Sequence, residues 1–161
     1  MGADIVFSCE RWYSHQIKSI KIKHDDNAKL YGSGSQYRYV CAGCYIGYIK
    51  PLITFLKSIL DEQFIEKVSS LGGEKYFKLG LDQCLMGYYI SENINSDNIK
   101  IKLDYGCKIF YTPTEDWNNL TTCIQSINKY KPAIIHVPWK ARYFKVLSKL
   151  YNYIYDKRYT S

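Results

Sequence analysis

No apolar run in this chain approaches the ~20 residues that a membrane-crossing helix needs, and no basic start leads into an apolar stretch as in a secretory signal. A soluble chain carrying no export signal is therefore expected. There is no Walker loop, GxSxG elbow, HExxH pair or complete dinucleotide glycine fingerprint, so the commonest nucleotide and hydrolase motifs do not guide the reading. Internal repeats and long low-complexity tracts are absent as well. Of the six cysteines only Cys41 and Cys44 form a CxxC pair, and no second pair matches it. On a strand those two point to opposite faces, which argues against zinc and for buried free thiols in a reducing compartment.

What is present fits one domain over residues 1–161, long enough for a hydrophobic core. The formal charge of +7 suits an anionic partner without choosing one. The lysines are scattered as on solvated faces, for example Lys18, Lys21 and Lys23, or Lys100 and Lys102, so a dedicated nucleic-acid surface is not expected. Seventeen tyrosines, with many Lys, Asn and Ile, are what an AT-rich coding sequence produces, and they are not read as a function.

The organising stretch is Arg38 to Leu60, RYVCAGCYIGYIKPLITFLKSIL. Aromatic and branched residues from Tyr39 to Ile46 favour a strand, and Gly43 and Gly47 either relieve crowding in it or let a backbone or ligand approach closely. Pro51 pre-sets φ for a first helical turn, and Leu52, Phe55, Leu56, Ile59 and Leu60 share one helical face. Upstream, Ile5 to Phe7 begin a strand with nothing to lead into it, which suggests a missing element. The following CERWYSH, Cys9 to His15, mixes carboxylate, guanidinium, indole and imidazole as site-lining loops do, although a surface turn with an aromatic anchor reads equally well.

Ser19 to Lys23 alternates like a short edge strand, and His24 to Gln36 reads as a loop. Asp61 to Val68 is expected to be a short helix broken at Leu71-Gly72-Gly73. Leu79 to Ile90 is another helix, with Asp82 in a first turn where the macrodipole favours a carboxylate. Ile99 to Tyr111 holds two strand patterns about Asp104-Tyr105-Gly106, with Asp104 read as a turn residue. Asp116 to Asn128 reads as loop with a short helix, Pro132 to His136 as an apolar strand, and Arg142 to Tyr155 as a helix. By itself His136 reads as a structural histidine at a strand end.

Taken in order, DIVFSCE (Asp4 to Glu10), RYVCAGCYIGY (Arg38 to Tyr48), LDQCL (Leu81 to Leu85), IKLDYGCKIFYT (Ile101 to Thr112) and PAIIH (Pro132 to His136) resemble the glycosyltransferase domain of the procollagen galactosyltransferase and lysyl hydroxylase family. The resemblance implies an α/β fold of GT-A type, a mixed sheet flanked by helices, here a partial fold without the N-terminal nucleotide-binding half. It implies a UDP-sugar donor, Mn²⁺, and transfer of glucose or galactose to a hydroxyl, the hydroxylysine of a collagen-like acceptor. By the same resemblance His136 is a metal ligand, while Asp82 and Gln83 line the sugar and acceptor pocket. Glu10, Trp12 and Gly43 border the sugar, and Lys140 or Arg142 reaches the diphosphate.

The sequence departs from the family in three places. It holds no DxD motif, Cys41-Ala42-Gly43 stands for asparagine-serine-glycine, and Val137-Pro138-Trp139 replaces a glycine-rich turn. Two readings follow. One is the acceptor-side portion of a glycosyltransferase, not expected to turn over unaided, whose DxD half comes from upstream residues or a companion chain. The other is a non-catalytic remnant that binds a protein or a glycan through the old acceptor face.

Overall fold

The computed structural model describes residues 2–13, 17–72, 81–113, 119–136 and 148–153. The architecture is mixed α/β. Strand β1 (Ile5–Glu10) is central in a three-stranded sheet, antiparallel to β2 (Tyr39–Gly47) on one side and parallel to β3 (Ile101–Leu103) on the other. A second, two-stranded parallel sheet joins β4 (Phe110–Tyr111) to β5 (Ile134–Ile135), and β4 packs against β1. Among the described residues no helix is long and apolar enough to cross a membrane.

Strand alternation explains the core. Ile5, Phe7 and Cys9 turn to one face of β1 and are fully buried, with the Phe7 ring 5.2 Å from that of Phe55. Phe55 lies on α2 (Ile49–Ile59), which carries Pro51 in its first turn as expected and buries Phe55 and Ile59. Leu60, expected on that face, is 65% exposed because the helix ends at Ile59. Helix α3 (Glu62–Gly72) follows, and α4 (Leu81–Asn93) packs across β2 and the next helix to be described.

That helix, α1 (Lys18–Tyr31), corrects the reading of Ser19 to Gln36 as an edge strand and a loop. Ile17, Ile20, His24 and Ala28 recur at intervals of three and four residues and are all buried, so one stripe reaches the core through a mostly polar segment. Ion pairs on the outer side, Lys21 to Asp25 at 2.8 Å and Lys29 to Asp26 at 2.9 Å, suit a helix and not a strand. Asp25 also accepts from Arg38 and Tyr39, tying α1 to the start of β2.

The segment read as loop with a short helix over Asp116 to Asn128 contains α5 (Leu120–Tyr130). The Asn119 side chain caps it by accepting from the Thr122 N–H, and Lys131 ends it in a left-handed conformation. The helix expected over Arg142 to Tyr155 is helical at 148–153, and its earlier part lies outside the described residues. All six cysteines are free thiols, and all but Cys44 are buried.

Candidate functional site

The opposite face of β1 carries Val6, Ser8 and Glu10, all buried. β2 runs beside it with an irregular register: Ser8 pairs with Cys41 and Phe7 with Tyr45, leaving Ala42, Gly43 and Cys44 without partners on β1. That bulge pushes the backbone of Gly43 out of the ladder. His136, just past β5, is set by its own N–H donating to the Tyr111 carbonyl at 2.9 Å, and its ring lies on Gly43. A Cβ added at Gly43 would stand 2.7 Å from His136 Cε1 and nearer still to Nε2, so only glycine fits beneath this imidazole. Gly47 meets a different neighbour: a Cβ there would stand 2.7 Å from the Asp4 carbonyl oxygen.

Glu10 closes the other end. Gln83, in the first turn of α4, donates from Nε2 to Glu10 Oε1, joining residues seventy-three positions apart. Burial pushes the Glu10 carboxyl up to about 7, against the pull of the Gln83 hydrogen bond, which favours the charged form. Cys41, buried on β2, pairs with Ser8 of β1. Its thiol is raised to about 12, first by burial and then by the nearby Glu10, while hydrogen bonds with the Gly43 backbone and the Thr112 side chain oppose the rise. Thr112 in turn shares a 2.9 Å hydrogen bond with Ser8. Burial lowers the pKa of the half-buried His136, so the neutral ring is favoured.

No family model matches this chain, and no curated protein or solved structure matches it either. The site therefore rests on its own geometry.

Of the residues singled out in the sequence, Glu10 meets Gln83 and Gly43 meets His136. Asp82 is exposed beside Gln83, and Trp12 is 61% exposed beyond β1. Lys140 and Arg142 lie outside the described residues. Asp104 has a structural role: its carboxylate accepts from the backbone N–H groups of Lys108, Ile109 and Phe110 at 3.0, 2.7 and 2.8 Å. Sequence reasoning did not select Ser8, Thr112 or Cys41 as site residues. Alternation along β1 places Ser8 on the Glu10 face, which was the one signal for it.

Among the described residues no three His, Cys, Asp or Glu side chains are grouped to hold a metal, and the neighbour beneath the His136 ring is a glycine. The chemistry present is a half-buried imidazole favoured in its neutral form on Gly43, and a buried carboxyl on Gln83 whose charge changes near neutral pH.

Proposed function

We propose that this chain is the acceptor-side portion of a GT-A-type glycosyltransferase related to the procollagen galactosyltransferase and lysyl hydroxylase family, transferring glucose or galactose from a UDP-sugar to an acceptor hydroxyl. The observation that supports this reading is the pair of contacts, Glu10 with Gln83 and Gly43 with His136, drawn from four distant segments of the resemblance. In transfer, the acceptor oxygen forms the new bond to the sugar carbon as the bond to the diphosphate breaks, and the acceptor loses its proton. Asp82, exposed on the turn that carries Gln83, would orient that hydroxyl, and Glu10 would hold a sugar hydroxyl or take a proton. Trp12 would cover the sugar. The diphosphate falls to Lys140 and Arg142, and a collagen-like polypeptide is the proposed acceptor.

Metal ligands would come from a companion chain or from further upstream residues. A docking place for either is the outer edge of β2, which no described strand pairs with and where Ile46 is 48% exposed. That edge also favours the second reading, a non-catalytic module binding a protein or glycan.

Calorimetric titration with UDP, with and without Mn²⁺, tests the first reading, with His136→Ala as control. Binding that needs the metal and disappears in the variant supports it. Absence of UDP binding both alone and with a DxD-bearing partner domain rejects it in favour of the module. Asp82→Asn then separates the two readings: an enzyme loses turnover, whereas a module keeps its partner.

A further inference from the structure

The register shift in β2 falls on the CxxC pair. In an unbroken strand, residues three apart point to opposite faces. Here Ser8 pairs with Cys41 and the residue before it, Phe7, pairs with Tyr45. Four chain steps of β2 are therefore folded over one step of β1, about 3.8 Å between Cα atoms. Paired residues of an antiparallel ladder share a face. Cys41 thus lies on the Ser8 face, and Tyr45 on the Phe7 face, where the two rings are 5.2 Å apart. Ile46 pairs with Val6 and returns to the Ser8 face, and Cys44, two residues before Ile46, points the same way. The bulge brings both thiols to one side of the sheet and draws the ends of the CxxC segment together. Cys44 is among the groups that raise the Cys41 thiol, as a near neighbour does.

Both cysteines are free, and they differ in access: Cys41 is buried, whereas Cys44 is partly exposed. We propose that Cys41 and Cys44 form a reversible disulfide across this bulge, by exchange with a small-molecule disulfide, and that the bridge resets the seat of His136 on Gly43. The Cys44 thiolate attacks one sulfur of the incoming disulfide, whose S–S bond breaks, and the other sulfur leaves and takes up the proton that Cys44 lost. The Cys41 thiolate then attacks the Cys44 sulfur and releases the remaining half, which takes up the second proton. The protein pair gives up two electrons and two protons, and the small disulfide becomes two thiols. Burial raises both protein thiols, so the exchange is slow at neutral pH and quickens in mild alkali. Bridging takes the Cys41 sulfur out of its hydrogen bonds with the Gly43 backbone and Thr112, and closes a loop that contains Gly43, the residue beneath the imidazole. So short a loop gains little from chain entropy, which makes the bridge easy to reduce, a switch more than a staple. The inference goes beyond the sugar-transfer reading and does not rest on it, because it needs only the bulge.

Native protein held for hours with glutathione disulfide in mild alkali, then freed of reagent and mapped by mass spectrometry, tests it. Expected is a loss of about 2 Da, the two thiol hydrogens, from a bridge between Cys41 and Cys44 that dithiothreitol reverses. Cys44→Ser, at a partly exposed position, loses nothing, and Cys41→Ser stops with one glutathione on Cys44. In proton NMR the His136 Cε1–H signal moves when the parent is oxidised and stays in place in similarly treated Cys44→Ser. A bridge between any other pair, a parent that stops at the mixed disulfide, or six thiols still free after exchange overturns the proposal. So does a Cys41–Cys44 bridge that leaves the His136 signal unmoved.

Discussion

The imidazole of His136 lies directly on the Cα of Gly43, with no room for a β-carbon between them. Two segments more than ninety residues apart are thus locked by the absence of a side chain. Gly43→Ala should expel the ring from its half-buried position, at a cost of roughly 1–2 kcal/mol from overpacking. Proton NMR of His136 Cε1–H would show its pKa, held low by burial, rising towards the ordinary histidine value. An unchanged titration would show that the ring does not depend on the glycine.

Gln83 is the side chain that favours the charged form of Glu10. Gln83→Leu removes the amide and leaves the burial, so the Glu10 carboxyl should titrate higher than about 7. Carbon-13 NMR of the glutamate carboxyls reads this directly. A lower value in the variant would mean that burial is not the dominant cause.

Glu10 and His24 push the pH dependence of folding in opposite directions. The Glu10 pKa is raised by burial from 4.5 to about 7, so its contribution is full below pH 4.5 and is lost as pH rises through 7. Burial lowers His24 from 6.5 to about 4, offset in part by the Gly87 backbone and by Asp25, so its contribution is full above pH 6.5 and is lost as pH falls through 4. Each effect is worth roughly 3 kcal/mol. Between pH 4.5 and 6.5 they offset one another. Relative to the parent, Glu10→Gln should make stability climb with pH across that window, and His24→Leu should make it fall. Urea denaturation at several pH values checks both slopes, and slopes of the same sign would refute the pairing.

Asp104 holds three consecutive backbone N–H groups in the turn that leads to β4. Asp104→Ala leaves them without a charged acceptor and should cost roughly 3 kcal/mol. Asp104→Asn should cost less, because the amide oxygen still accepts. A thermal unfolding midpoint unchanged in both variants would deny the carboxylate its structural role.

Local patterns were readable wherever one periodicity was unopposed. β1, β2 and α2 follow from branched and aromatic runs and from Pro51, and the turn at Asp104 from its residue type. α1 was misread because HDDNAK looks like a loop until Ile17, Ile20, His24 and Ala28 are seen to share one buried stripe. β5 is two residues long and exists through its pairing with β4. No local propensity marks so short a strand.

The candidate site divides in the same way. Glu10, Gln83, Gly43 and His136 were singled out through the resemblance of their segments to a family; read from the residues alone, His136 was a structural histidine and Gly43 equally a relief of crowding in a strand. Their partners were decided by tertiary structure: the register slip opposite Phe7 and Ser8 that lifts Gly43 to His136, and the packing of α4 that carries Gln83 to Glu10. The physical reason is that a side chain's identity is local, whereas its burial, and with it the charge that Glu10 or His24 carries at a given pH, depends on what the rest of the chain places around it.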